Sequence, residues 1–189
     1  MRNFLIACIK LYYKVAYRVK VEGIENFPKD KAAVVIANHM SMHDPILMFG
    51  LFNGKINFMA KEELFRNKLF KWVLEKLGAF PVNRQGNDLK AIKHSLKLLK
   101  DNKILGIFPQ GTRMTSAEAE QAKGGAAFMA IKSKVPIVPV AIKGNFRLGS
   151  EITVKVFEEY STENASMEKE DMERVSTEAF SVIANYLEA

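Results

Sequence analysis

Cysteine, histidine and long apolar runs are scarce in this chain of 189 residues. The single cysteine, Cys8, excludes an internal disulfide and favours a reducing compartment. No apolar run approaches the roughly 20 residues that a membrane-spanning helix needs. No small-residue cleavage site follows the basic, apolar start of the chain. We therefore expect a retained N-terminal helix and not a signal peptide.

The formal net charge of +7 indicates anionic partners, which could be nucleic acid, anionic lipid, coenzyme A or an acidic carrier protein. We expect no nucleic acid, because no known binding motif is present and aromatic residues do not interleave with basic ones on the predicted strands. The pattern of residues 3–18 predicts a helix. Lys10, Lys14 and Arg18 form a basic edge of this helix, and aromatic side chains lie beside it. That combination favours an anionic membrane surface, although a terminal helix packed on the core is the alternative.

Apolar runs of strand length alternate with amphipathic segments of helical period along the whole chain. This order predicts an α/β fold: a single domain with a mixed central sheet and helices on both faces. We expect residues 1–20 to form the membrane-interface helix and residues 21–189 to form the domain that carries the sheet. The two prolines of "VPIVPVAIKG" predict an edge strand or a bulge. The helix that follows Asp88 is predicted to face the core with one apolar stripe, formed by Leu89, Ile92, Leu96 and Leu99.

Two of the three histidines lie in "NHMSMHD", directly after a predicted buried strand and before Pro45. In open α/β sheets, functional sites gather at the carboxyl ends of strands. If the chain turns there, the Asp44 carboxylate can hold the His39 imidazole in one tautomer. The second ring nitrogen then takes a proton from a hydroxyl. The chain fixes no nucleophile of its own beside this pair, so the hydroxyl could belong to a substrate.

Three alternatives compete for these residues. Asp44 before Pro45 could cap the following helix. Ser41 could be a nucleophile, but it lacks a glycine-flanked elbow, so a turn hydrogen bond is favoured. His39, His43 and Asp44 could bind a metal, but no further ligand type lies nearby, so we predict no metal site.

Four segments, in order, resemble the sequence blocks of the glycerolipid acyltransferases, most closely the bacterial 1-acyl-glycerol-3-phosphate acyltransferases. They are "NHMSMHD", "FMAKEELF" with "LGAFPVNR", "GIFPQGTR" and "VPIVPV". The resemblance implies that 21–189 is an acyltransferase domain with that family's fold. It implies transfer of a fatty acyl group from acyl-CoA or acyl carrier protein to lysophosphatidic acid, giving phosphatidic acid without a cofactor. It also implies a peripheral enzyme at the cytoplasmic face of the cell membrane.

The resemblance assigns His39 as the base and Asp44 as the group that orients it. It places phosphate and acceptor binding on the later blocks, at Lys61, Arg84, Gln110, Gly111, Thr112 and Arg113. The family has glutamate where this chain has Gln110, which keeps an acceptor oxygen and loses the charge. The acceptor is therefore left open between lysophosphatidic acid, glycerol-3-phosphate and another lyso-lipid. A non-catalytic module that binds anionic lipid or acyl carrier is the further alternative.

Overall fold

The structure, a computed structural model, describes residues 2–83, 88–109 and 124–189. Within these residues, six α-helices and seven strands follow one another along the chain. The helices are α1 (Arg2–Ala16), α2 (His43–Leu51), α3 (Lys68–Lys76), α4 (Leu89–Lys100), α5 (Gly125–Ser133) and α6 (Lys169–Glu188). The strands are β1 (Arg18–Glu22), β2 (Ala33–Ala37), β3 (Ile56–Lys61), β4 (Phe80–Val82), β5 (Ile104–Ile107), β6 (Ile137–Gly144) and β7 (Glu151–Val156).

The seven strands form one sheet in the order β1-β7-β6-β2-β5-β3-β4. β2 to β6 are parallel to one another, whereas β7 runs antiparallel to β6 and parallel to β1. This arrangement confirms the predicted mixed α/β sheet. The carboxyl ends of β2 to β6 meet at one edge, which we call the carboxyl edge.

Helices cover both faces of the sheet, as predicted. β2 lies at its centre and is buried on both sides, which explains its uninterrupted run "AVVIA". Val34 and Ile36 pack into a core with residues of α4, α5 and α6. Val35 and Ala37 point the other way, into a core with residues of α1 and α2.

The N-terminal helix is shorter than the predicted 3–18. It ends at Ala16, because Arg18–Glu22 pair with β7 as an edge strand of the sheet. The predicted division of the chain at residue 20 therefore falls inside β1. One face of α1 is buried, chiefly through Ile6 and Tyr13, while its opposite face is exposed. The membrane role of this helix stays a prediction.

The segment with two prolines forms β6, which contains Pro139 and begins directly after Pro136. This strand lies inside the sheet and not at its edge, so the prediction of an edge strand is wrong. β6 pairs with β2 on one side and with β7 on the other. The Pro139 carbonyl accepts from Phe157 N, which places the backbone nitrogen of Pro139 on the β7 side. The register continues past the last ladder pair, Val140 and Val156, so Pro139 lies opposite Phe157 and lacks only the reciprocal N–H bond, at the very end of the β7 ladder.

The predicted core face of α4 is confirmed except at its first residue. Ile92 and Leu96 are partly buried and pack against the core. Ala91, Ser95, Leu98 and Leu99 are buried, whereas Leu89 is exposed. Small side chains at 91 and 95 let the helix approach the core closely. The Ser95 hydroxyl stays satisfied there, because it donates to the Ala91 carbonyl at 2.7 Å.

Candidate active site

The carboxyl edge gathers side chains from three neighbouring strands. His39 follows β2, Phe108 follows β5, and Lys61 is the last residue of β3. The order β2-β5-β3 places Lys61 two strands away from His39. Adjacent strands are about 4.8 Å apart, so the two backbones are separated by about 10 Å across the sheet. A substrate lying on this edge could reach both residues.

His39 and Asp44 are hydrogen-bonded across the turn between β2 and α2. The distance from His39 Nδ1 to Asp44 Oδ2 is 2.9 Å. The same oxygen accepts from the backbone N–H groups of Met40 and Ser41, each at 2.7 Å. An ionised carboxylate can only accept, so Nδ1–H donates and Nε2 becomes the basic nitrogen of the ring. The Asp44 side chain is fully buried, and that of His39 is 13% exposed.

Asp44 is not the helix cap that one alternative proposed. α2 begins at His43, Met42 occupies the N-cap position, and Asp44 is the second helical residue. Its carboxylate turns back to the loop before the helix, where it stays near the positive end of the helix dipole. Ser41 makes the predicted turn hydrogen bond, because its Oγ accepts from His43 N at 3.2 Å.

Asn38 anchors the start of this loop to the sheet. Its side-chain amide donates to the Ile142 carbonyl at 2.9 Å and its amide oxygen accepts from Ile142 N at 2.8 Å. Sequence reasoning missed this role. A buried amide needs partners for both its donor and its acceptor. An asparagine at the end of a predicted buried strand therefore indicates a pair of hydrogen bonds to a neighbouring strand.

An aromatic stack fixes the plane of the His39 ring. Phe108 lies against His39 with ring centroids 4.2 Å apart and planes inclined by 23°. Phe58 continues the stack at 5.4 Å from Phe108. Gly106 makes room for it, because a Cβ there would lie 2.4 Å from the Phe58 ring. The imidazole is thus oriented by Asp44 in its plane and by Phe108 on its face.

The second histidine of the stretch joins the loop to the N-terminal helix. The Tyr13 hydroxyl lies 3.1 Å from both Nδ1 and the carbonyl oxygen of His43. The His43 ring also stacks on Phe146 at 4.8 Å. Burial raises the pKa of Tyr13, and the neighbouring Tyr12, Tyr17 and Asp44 raise it further. The phenol therefore stays protonated and donates to the carbonyl, while its oxygen can accept from Nδ1–H.

Tyr13→Phe is expected to lower the free energy of unfolding by about 1–2 kcal/mol. The ring would keep its packing, but the His43 carbonyl would lose its donor. Denaturant unfolding measures this loss. Tyr12→Phe is the matched control, because its hydroxyl makes only a long 3.4 Å contact with Tyr17 and the side chain is exposed. Equal losses in both variants would contradict a specific role of the Tyr13 hydroxyl.

The other predicted site residues are only partly placed by the structure. Lys61 lies at the carboxyl edge with an exposed side chain, and its Nζ is 3.8 Å from a Glu63 carboxylate oxygen. The remaining ones lie outside the described residues: Arg84, Gln110, Gly111, Thr112 and Arg113. The proposed roles of all six in acceptor binding stay predictions.

The described ranges contain neither a group of metal ligands nor a membrane-spanning helix. In 2–83, 88–109 and 124–189, no three His, Cys, Asp or Glu side chains are grouped as metal ligands would be. The same ranges contain no helix with the length and apolar character to span a bilayer. Two open cavities of about 710 and 480 Å³ lie at the opposite edge of the sheet, and neither is lined by His39.

A histidine oriented by a buried carboxylate, at the carboxyl edge of an α/β sheet, is typical of enzymes that use general-base catalysis. A family model described as Acyltransferase matches residues 18–143. The chain belongs to this acyltransferase family.

Individual relatives agree with the family. The 1-acyl-sn-glycerol-3-phosphate acyltransferase of Bacillus subtilis is 39% identical over 145 residues, which are 76% of this chain and 72% of that protein. The enzyme of the same name from Streptococcus pneumoniae is 37% identical over 64% of this chain and 45% of its own length. The crystal structure of the 1-acyl-sn-glycerophosphate acyltransferase PlsC from Thermotoga maritima superposes with a TM-score of 0.76. It is 25% identical and covers 99% of this chain and 80% of that one.

Proposed function

We propose that the protein transfers a fatty acyl group from a thioester to the free hydroxyl of 1-acyl-glycerol-3-phosphate, giving phosphatidic acid. The donor is acyl-CoA or acyl carrier protein, and no further cofactor takes part. The observation that carries the proposal is the 2.9 Å hydrogen bond between His39 Nδ1 and the buried Asp44 carboxylate. The names of the relatives in B. subtilis, S. pneumoniae and T. maritima support the choice of acceptor.

The reaction begins with removal of a proton from the acceptor. His39 Nε2 takes the hydroxyl proton while the hydroxyl oxygen attacks the thioester carbonyl carbon. Asp44 stabilises the imidazolium that forms, because its negative charge is held against Nδ1–H. The attack gives a tetrahedral intermediate with a negatively charged oxygen. Direct attack by the acceptor requires no acyl-enzyme.

Collapse of the intermediate completes the transfer. The carbonyl re-forms, the carbon–sulfur bond breaks, and the thiolate leaves. The imidazolium returns its proton from Nε2 to the departing sulfur, so the products are the ester and a free thiol. His39 ends the cycle neutral, with Nδ1–H still directed at Asp44.

The phosphate of the acceptor requires cationic partners near this base. We assign that role to Lys61, Arg84 and Arg113, with Gln110, Gly111 and Thr112 beside them in the third block. Guanidinium groups suit phosphate oxygens because they donate two parallel hydrogen bonds, and lysine acts as a point charge. The place of Lys61 at the carboxyl edge supports its part in this assignment.

A thiol-release assay with a panel of acceptors tests the proposed function. The acceptors are lysophosphatidic acid, glycerol-3-phosphate and a lyso-lipid without a phosphate monoester, each with acyl-CoA and with acyl carrier protein. We expect the highest kcat/KM with lysophosphatidic acid. A preference for another acceptor would correct the substrate, and no thiol release with any pair would favour a binding module.

Gln110→Glu is expected to change the balance between these acceptors. The glutamine oxygen can already accept a neutral hydrogen bond from a glycerol hydroxyl, so the carboxylate gains the charge-assisted difference of roughly 1 kcal/mol, which corresponds to about fivefold in kcat/KM. The measurement is the ratio of kcat/KM for lysophosphatidic acid to that for glycerol-3-phosphate. Identical ratios in the two proteins would exclude a role for residue 110 in acceptor choice.

We propose that the enzyme acts as a peripheral protein at the cytoplasmic face of the cell membrane, since its acceptor is a lipid. The outward face of α1 supports this location. Phe4, Leu11 and Val15 are exposed along one side of the helix. Lys10 and Lys14 accompany them, and α1 contains no acidic residue. Such a helix suits the boundary between anionic headgroups and acyl chains.

A further inference from the structure

The helix α3 exposes the largest apolar side chains it carries. Leu69 is 70% exposed, Phe70 is 62% exposed and Trp72 is 48% exposed. No residue of α3 is buried. Single exposed apolar residues are ordinary on protein surfaces, but three large ones within four positions form a patch that requires an explanation.

The exposure does not come from a poorly formed helix. Asn67 caps α3, because its side-chain oxygen accepts from Leu69 N at 2.9 Å and from Phe70 N at 3.2 Å. Gly78 ends the helical segment with a left-handed backbone at φ +73°. Both ends of the helix are therefore fixed, and its apolar side chains are held outward.

The charges around this patch favour an anionic partner. α3 carries three lysines, Lys68, Lys71 and Lys76, and one acidic residue, Glu75, which lies 3.9 Å from Lys71. The turn before the helix carries Glu62 and Glu63 and is flanked by Lys61 and Arg66, so residues 61–76 contain five basic and three acidic side chains. The neighbouring α1 adds Arg2, Lys10 and Lys14 without any acidic residue.

α3 and α1 lie on the same face of the sheet. The connections β2-α2-β3 and β3-α3-β4 advance in the same direction across the sheet, and right-handed crossovers place their helices on one side. α1 packs against α2 on that side. The end of α3 also comes close to the start of α1, because a Cβ on Gly78 would lie 3.8 Å from the Arg2 guanidinium.

The start of α3 adjoins the site. β3 ends at Lys61, the turn Glu62–Phe65 follows, and the helix begins at Lys68. A flat surface that contacted both helices would therefore also lie beside the carboxyl edge, where the proposed acceptor binds.

We propose that α3 is a second membrane-docking helix, which inserts Leu69, Phe70 and Trp72 into the interface of an anionic bilayer. This inference rests on the proposed function for its purpose, which is delivery of a lipid acceptor from the bilayer to His39. Tryptophan and phenylalanine beside lysine are the side chains that membrane interfaces favour. The exposed apolar stripe of α1, on the same face of the sheet, makes an extended lipid surface a better fit than a small acidic protein.

Trp72 is the only tryptophan of the chain, so its fluorescence reports on α3 directly. The full chain is titrated, without substrate, with vesicles of phosphatidylcholine alone or mixed with phosphatidylglycerol. We expect a blue shift and quenching by brominated acyl chains with the anionic vesicles. Leu69→Ser combined with Phe70→Ser is expected to weaken vesicle binding at least about tenfold. Leu89→Ser, an exposed leucine on the opposite face, is the matched control and should bind as the unaltered protein does.

Three results would overturn the proposal: an unchanged Trp72 spectrum, an equal shift with neutral vesicles, or a shift with acyl carrier protein and not with vesicles. Activity separates this failure from failure of the proposed function. On a short-chain, water-dispersed acceptor, the double variant should keep the kcat of the unaltered protein. On acceptor embedded in anionic vesicles, it should lose about tenfold or more in kcat/KM. If the unaltered protein released no thiol with either acceptor, the proposed function would fail and the vesicle binding would still stand.

Discussion

His39→Ala is expected to reduce kcat for acyl transfer by about 10²- to 10⁴-fold, which is the usual contribution of a general base. The acceptor hydroxyl would have to lose its proton to water while it attacks. The loss should fall on kcat, because nothing assigns acceptor binding to His39. Single-turnover thiol release with lysophosphatidic acid measures the chemical step without interference from product release.

His94→Ala is the matched control for this variant. His94 is exposed on α4 and contacts Phe80 with ring centroids 4.5 Å apart. Its removal should leave the rate within a factor of about two, as surface changes far from a site usually do. A rate near that of the unaltered protein in His39→Ala would mean that another group, or water, removes the proton.

The contact between His39 and Asp44 could be predicted from the sequence because it depends on short-range features. His39 and Asp44 are five positions apart, directly after a buried strand, so a single turn is enough to bring them together. Lys61, which only the family resemblance indicated, also lies at this edge as the last residue of β3. The predicted α/β fold is confirmed for the same reason, since the periods of strands and helices are local properties.

The side chains that support His39 come from distant parts of the chain, and no local pattern contained them. Phe108 lies 69 positions after His39 and reaches it only because β5 is inserted between β2 and β3. Tyr13 reaches His43 because α1 packs on α2. These partners follow from the strand order and the helix packing, and periodicity alone does not specify either.

The wrong predictions have a common physical origin. The two prolines predict an edge strand because proline cannot donate in a ladder, yet β6 is interior and Pro139 lies opposite Phe157, just past the last ladder pair with β7. In α4, Leu99 is buried and Ile92 and Leu96 pack against the core as predicted, whereas Leu89 is exposed and the small Ala91 and Ser95 are buried instead. In both cases the position or burial of the residue depends on the element packed beside it. The sequence of one segment does not specify which element that is.

Asp44→Asn is expected to lower kcat by about 10²-fold or more while the loop keeps its shape. The oxygen Oδ2 accepts from Met40 N and Ser41 N as well as from His39 Nδ1. An asparagine would therefore keep its amide oxygen at this position, because the flipped amide would direct an N–H at two other N–H groups. The imidazole would hold the same tautomer, and the variant would lose mainly the negative charge that stabilises the imidazolium.

Asp44→Ala distinguishes the effect of the Asp44 charge from the effect of the hydrogen bonds that hold the loop. Alanine removes the acceptor of both backbone N–H groups, so hydrogen exchange at Met40 and Ser41 should become faster in Asp44→Ala and stay slow in Asp44→Asn. Both variants should be less stable. In Asp44→Asn, the N–H₂ group would take the place of Oδ1, which is buried without a hydrogen-bond partner among the described residues. Its N–H donors would therefore be unsatisfied, at a cost of about 1–3 kcal/mol in the free energy of unfolding. If Asp44→Asn stayed within about threefold of the normal rate, orientation alone would be the contribution of Asp44, and its charge would play no part in the chemical step.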